Sequence, residues 1–82
     1  MGTLFRFGVW RIMIYTLDHP PAHVHVVGPN GRAKIALNCQ NGRPLPIAAF
    51  GMDAVLLTKL VDAVAERQDS LCEAWRQLHG ST

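Results

Sequence analysis

The hydrophobic pattern changes once along the chain, and this change limits the possible folds more than any other feature. In residues 3–38 apolar positions alternate with polar ones and are rich in β-branched and aromatic types, which is typical of strands with one buried face. In residues 53–79 the apolar positions recur with helical spacing. Residues 39–50 contain Pro44 and Pro46 and are interpreted as a loop. The pattern predicts a single α+β domain over residues 1–82: an N-terminal antiparallel sheet of about four short strands, with one face covered by C-terminal helix.

The helical part is predicted to be one long helix or two consecutive helices. Asp53 is the expected N-cap, because its carboxylate can accept hydrogen bonds from free first-turn N–H groups. Gly80 is expected to end the helical part, and residues 68–70 are a possible break. The apolar stripe consists of Leu57, Leu60, Val61, Val64, Leu71, Trp75 and Leu78.

The length and the two cysteines bear on partners and location. A chain of 82 residues buries a small core, so a homodimer is one expected arrangement. The sequence shows neither a leader pattern nor an apolar stretch long enough for a membrane span, and a cytoplasmic protein without membrane partners is expected. In that compartment Cys39 and Cys72 are predicted to be reduced thiols.

Positive charge is concentrated in the first fifty residues, whose formal charge is +4 against −2 for the remainder. This polarity favours an anionic ligand or partner for the N-terminal half. The net charge of +2 is lower than that of dedicated nucleic-acid binders.

Histidines are concentrated in the same half, where three of the four occur between His19 and His25. If residues 23–27 form a strand, His23 and His25 point to the same face, because side chains alternate along a strand. The face predicted to remain uncovered by helix carries Arg11, Tyr15, His23, His25, Arg32 and Lys34. A homodimer that closes this face, with the histidines serving only a structural role, is the alternative interpretation.

Two kinds of chemistry fit the histidine pair. As general acid and base, His23 and His25, with His19 nearby, would transfer protons at a phosphate whose charge Arg11 or Lys34 neutralises. An enzyme of this kind would be a metal-independent, ribonuclease-like phosphodiesterase without a cofactor. As metal ligands, His23 and His25 would bind Zn²⁺ with His19 or Asp18 as the third ligand.

Several blocks of the sequence resemble a known family. They are residues 3–8, residues 11–15, Asp18-His19-Pro20-Pro21-Ala22-His23-Val24-His25-Val26, residues 31–34 and residues 71–75. Together they resemble the small prokaryotic family catalogued as domain of unknown function 4160. The resemblance implies a gene encoded beside a second small protein, in an arrangement regarded as a candidate toxin-antitoxin pair. The family motif corresponds here to Asp18, His19, His23, His25 and Lys34, and no catalytic role comes with it.

These observations lead to one functional hypothesis. The chain is expected to be a component, and a candidate toxin, of a toxin-antitoxin-like module. It would bind a cognate small protein and RNA through the basic, histidine-bearing sheet face. His23 and His25 would act in proton transfer, and Arg11, Arg32 and Lys34 would contact phosphates. Tyr15 and Asp18 are further candidate binding residues.

Overall fold

The computed structural model describes residues 4–40 and 42–80, and within them it has the predicted α+β architecture. The strands are β1 (Phe5–Phe7), β2 (Trp10–Met13), β3 (His23–Val27), β4 (Arg32–Ala36) and β5 (Leu45–Phe50). The helices are α1 (Ala54–Glu66) and α2 (Gln68–His79).

The strands form one sheet in the order β1-β2-β3-β4-β5, with every neighbouring pair antiparallel. This arrangement follows from local connections, because each strand pairs with the next one along the chain. The connection from β3 to β4 is closed by a hydrogen bond from the Gly28 N–H to the Gly31 carbonyl at 3.0 Å.

The hydrophobic core lies between one face of the sheet and the two helices. The sheet contributes inward-facing residues predicted from the alternation, and the helices contribute part of the apolar stripe. The buried apolar residues are Ile12, Ile14, Ala22, Val24, Val26, Ala33, Ile35, Leu37, Leu60, Val64, Leu71, Cys72 and Trp75. Leu78 belongs to the predicted stripe but is 37% exposed, because it lies near the end of α2.

The segment 39–50 was predicted to be a loop, and for its second half this prediction is wrong. Residues Leu45–Phe50 form β5, which pairs with β4 at the edge of the sheet. An edge strand tolerates Pro46, because a residue without an N–H can face away from the neighbouring strand. A register shift opposite Lys34 and Ile35 accommodates the irregular strand. The sheet therefore has five strands rather than about four.

The helical part is divided into two helices at Arg67, which has a non-helical conformation (φ −117°, ψ 18°). The predicted N-cap is confirmed, since the Asp53 carboxylate accepts a hydrogen bond from the Leu56 N–H at 2.8 Å. Gly80 ends α2 in the left-handed conformation (φ 83°). Among the described residues, no helix is both long and apolar enough to cross a membrane.

The segment that follows β4 is held against α2 by two kinds of bond. Cys39 is joined to Cys72 by a disulfide, so the prediction of two reduced thiols is wrong for this structure. The fold brings their Cα atoms to 6.0 Å, a separation compatible with a disulfide. The Gln68 amide also donates hydrogen bonds to the carbonyls of Leu37 and Gly42, each at 2.7 Å.

Candidate functional site

Most of the predicted basic residues share the sheet face opposite the helices, which we call the open face. Residues directly opposite each other on paired strands project from the same face. His25 on β3 is opposite Lys34 on β4, and Arg32 is opposite Val27, which is in turn opposite Arg11 on β2. The structure therefore places Arg11, His25, Arg32 and Lys34 on one surface, as the alternation indicates.

Asp18 joins the two histidines of β3 into a compact group, which we call the Asp18 cluster. The loop between β2 and β3 brings the Asp18 carboxylate to 3.0 Å from the Nε2 atom of His25 and 3.4 Å from the Nε2 atom of His23. A hydrogen bond from the Tyr15 N–H to the carboxylate, at 3.2 Å, holds the loop in this conformation. One ligand-type atom from each of Asp18, His23 and His25 lies within 4.8 Å of the others.

His23 does not lie on an accessible surface, contrary to the prediction. His23 is only 6% exposed, and the centroid of its ring lies 5.2 Å from the ring centroid of Trp75 on α2. The end of α2 and the β2–β3 loop cover this end of the strand, so His23 cannot contact a ligand on the open face directly. His25 is more accessible, with 20% of its side chain exposed.

The orientation of the His23 ring is determined by the backbone. Its Nδ1 atom donates a hydrogen bond to the Pro21 carbonyl at 2.9 Å, which assigns the ring proton to Nδ1 in the neutral form. The Nε2 atom is buried and has no hydrogen-bond partner among the described residues. A buried polar atom without a partner costs about 1–3 kcal/mol, so its position requires an explanation.

Burial and neighbouring charges shift two pKa values in the cluster. Burial lowers the pKa of His25 and outweighs the opposing effect of the Asp18 carboxylate, while His23 and Lys34 add to the lowering. For Asp18, burial raises the pKa, but the hydrogen bond from Tyr15 and the two nearby imidazoles together bring it below its ordinary value. The cluster therefore favours an ionised carboxylate beside a neutral His25 ring.

Neither of the other two histidines belongs to the cluster. His19 is exposed and supplies no atom to it, so of the two predicted third members, His19 and Asp18, only Asp18 joins His23 and His25. His79 packs on the Trp75 ring at 4.1 Å and lies 3.2 Å from the Tyr15 carbonyl oxygen. His79 therefore connects the end of α2 to the loop that carries Asp18.

A shallow groove of about 320 Å³ runs along the open face beside the cluster. Its lining includes Tyr15, His25, Arg32, Lys34 and Phe50. The Tyr15 ring stacks on the His25 ring with a centroid distance of 4.3 Å. Arg11 lies on the same face but does not line the groove.

Sequence reasoning missed Phe50, because the segment that contains it was interpreted as a loop. Phe50 is opposite Arg32 in the sheet and is 67% exposed. The apolar run from Ile47 to Phe50 was the available signal for a strand, and the two prolines before it outweighed that signal.

Comparison with known proteins supplies a family but no characterised relative. No curated protein and no solved structure shows significant similarity to the chain. The sequence model of one family matches residues 10–76, which include β2 to β5, α1 and most of α2. Because this match covers well over half of the sequence, the chain belongs to the family described as Domain of unknown function (DUF4160).

Proposed function

We propose that the chain is a component, and a candidate toxin, of a toxin-antitoxin-like two-gene module, and that it binds single-stranded RNA on its open face. The groove that combines cationic and aromatic side chains is the observation that carries this proposal. A cognate small protein would inhibit the chain by covering the same face.

The groove has the two features that single-stranded nucleic acids require. Arg32 and Lys34 supply positive charge for phosphates, and the exposed ring of Phe50 supplies a surface on which a base can stack. Arg6 and Arg11, which are opposite each other on β1 and β2, extend the positive charge along the same face. This arrangement supports binding that depends on charge and stacking more than on base sequence.

The histidines enter this proposal unequally. His25 borders the groove, whereas His23 is buried behind it against Trp75. A proton transfer to bound RNA would therefore involve His25, whose ring Asp18 orients through a hydrogen bond at 3.0 Å. The proposal itself is limited to binding, because the groove supports binding directly.

A second candidate function is that of a non-enzymatic interaction protein. The edge strand β5 exposes Leu45 by 57% and Ile47 by 55%, and an edge strand offers unpaired backbone groups to a partner strand. The cognate small protein, or a second copy of the chain, could pair along this edge. In this case the histidines would have only a structural role.

Growth and binding measurements separate the two candidates. The chain is expressed alone and together with the product of its neighbouring gene, and binding of the purified chain to a fluorescent single-stranded RNA is measured by anisotropy. Growth inhibition that the neighbour relieves, together with RNA binding that the neighbour blocks, supports the proposal. Co-purification of the two proteins without RNA binding or growth inhibition would contradict it and favour the interaction protein.

We further propose a cytoplasmic location, which the Cys39–Cys72 disulfide makes directly testable. The disulfide counts against this location, because cytosolic thiols are normally kept reduced, and a cytoplasmic chain would have to hold the bond open in the cell, so that rapid alkylation of thiols at cell lysis labels both cysteines. Cysteines that stay unlabelled until a reductant is added would contradict this location.

A further inference from the structure

We infer that Asp18, His23 and His25 are the protein ligands of a divalent transition-metal ion, with Zn²⁺ as the expected ion. This inference does not depend on RNA binding. It is based on three features of the Asp18 cluster: the unpartnered nitrogen of His23, the spacing of the ligand atoms, and the access to His25 from the groove.

The Nε2 atom of His23 is the first feature. With the ring proton donated from Nδ1 to the Pro21 carbonyl, Nε2 carries an unshared lone pair, is buried without a hydrogen-bond partner among the described residues, and lies 3.4 Å from the Asp18 carboxylate oxygen. Two electron-rich atoms this close, with no hydrogen shared between them, repel each other, and a cation bound by both would remove the repulsion. A histidine that ligates a metal with one nitrogen typically donates the other N–H to a carbonyl or carboxylate, as His23 does to Pro21.

The spacing of the ligand atoms is the second feature. Two ligand atoms that each lie about 2.0–2.1 Å from one metal ion are about 2.9 Å apart when the ligand–metal–ligand angle is a right angle. They are about 3.4 Å apart when this angle is tetrahedral. The carboxylate oxygen of Asp18 lies 3.0 Å from His25 Nε2 and 3.4 Å from His23 Nε2. All three atoms lie within 4.8 Å of one another, so a small movement of one side chain completes the set.

The types of ligand select the class of ion. Imidazole nitrogen and carboxylate oxygen bind Zn²⁺ and neighbouring first-row ions well, whereas Mg²⁺ and Ca²⁺ prefer sites made of oxygen. Binding through Nε2 would require the neutral His25 ring to carry its proton on Nδ1 instead of on Nε2, where it now donates to Asp18. Lys34, which is opposite His25, is the nearest cation on the strand pair and opposes the binding of a further positive charge.

Access from the groove is the third feature. His25 lines the groove and His23 lies behind it, so the groove beside His25 is the route by which an ion or an additional ligand would reach the cluster. Three protein ligands and an open position are typical of metal sites that bind an additional small ligand or water. A metal ion here would lie at the end of the same groove that carries Arg32 and Lys34.

Metal titration of the purified chain tests this inference. The chain, without a histidine tag and treated with EDTA, is titrated with ZnCl₂ by calorimetry and with CoCl₂ by visible absorption. We expect one ion per chain. The Asp18→Asn and His25→Gln variants should each lose more than the 10- to 100-fold in affinity typical of removing a supporting group. His19→Gln is the matched control, because His19 is exposed, lies next to Asp18 and supplies no atom to the cluster.

Three results would overturn the inference. They are no binding of either ion to the folded wild-type chain, unchanged affinity in folded Asp18→Asn and His25→Gln, or an equal loss in His19→Gln. Circular dichroism of each variant establishes that it is folded, and His25 rather than the buried His23 is substituted to limit unfolding. Because no RNA is present, failure of this test leaves the RNA-binding proposal unaffected.

Discussion

Cys39 and Cys72 form a disulfide that links the segment after β4 to α2, across a sequence separation of 33 residues. The bond connects the strand-rich half of the chain to the helical half. In a domain with a small core, a cross-link of this kind stabilises the folded state mainly by restricting the unfolded chain.

Removal of the disulfide is expected to lower the free energy of unfolding by about 3–4 kcal/mol, the value for closing a loop of this length. Urea denaturation of Cys39→Ser measures the change, and the wild-type chain in reductant should give a similar value. Cys39 is substituted rather than Cys72, because Cys72 is buried in the core. Equal stability of the oxidised and reduced wild-type chain would contradict the prediction.

Loss of the groove cations should weaken RNA binding in a salt-dependent way. The Arg32→Ala, Lys34→Ala double variant is expected to bind single-stranded RNA at least about tenfold more weakly in low salt. It should also reduce the slope of log affinity against log salt by about 1.4, because two phosphate contacts are lost. Anisotropy titrations over a range of salt concentrations measure both quantities.

Lys59→Ala is the control for this double variant, because Lys59 is an exposed cation on α1, away from the open face. Comparing the RNA affinities of the double variant and of Lys59→Ala distinguishes the effect of charge at the groove from the effect of the net charge of the chain. An equal loss of affinity in Lys59→Ala would show that binding follows net charge and not the groove.

Phe50 should contribute stacking energy to RNA binding but little to folding. Phe50→Ala is expected to weaken binding by about 1–3 kcal/mol, the range for one base stacked on an aromatic ring. Because the residue is 67% exposed, the free energy of unfolding should change by less than about 1 kcal/mol. Leu17→Ala, at a side chain that is 90% exposed and outside the groove, should change neither quantity. Unchanged RNA affinity in Phe50→Ala would remove the ring from the proposed site.

Gln68 is predicted to hold the segment after β4 in place. Gln68→Ala removes the amide that donates to the carbonyls of Leu37 and Gly42, and should lower the free energy of unfolding by about 1–2 kcal/mol. Amide hydrogen exchange at residues 38–40, 42 and 43 should accelerate more than exchange in β3. Gln77→Ala is the matched control, since the Gln77 amide donates to the exposed Glu73 on the same helix and not to any described residue of the segment after β4. Similar effects of both variants would contradict a specific role for Gln68.

Gly51 should tolerate no side chain. Its φ is +72°, and a Cβ atom would lie 2.1 Å from the Asn30 carbonyl oxygen, so Gly51→Ala combines backbone strain with a clash against backbone. We expect a loss of more than about 2 kcal/mol in thermal or urea unfolding. Gly8 has a similar φ of +60°, and apart from its chain neighbours no described residue has an atom within 4 Å of the same position, so Gly8→Ala measures the backbone strain without the clash. Equal losses in the two variants would show that the contact with Asn30 is unimportant.

The sequence by itself determined the fold class, the faces of the strands and the ends of the helical part. These features depend on local periodicity and on capping, which involve residues close together in the chain. Val24 and Val26 face the core, while His25 and Lys34 face away, as the alternation predicts. Asp53 and Gly80 bound the helical part for the same local reason.

Tertiary structure alone decided how the histidines are used. His23 is buried because Trp75, far along the chain, packs on it, and Asp18 rather than His19 completes the cluster because the β2–β3 loop turns its carboxylate inward. The pairing of Cys39 with Cys72 and the contribution of Phe50 to the groove also require elements distant in sequence to meet. Contacts of this kind depend on how whole helices and strands pack. Local periodicity does not indicate which distant side chain will cover a particular side chain.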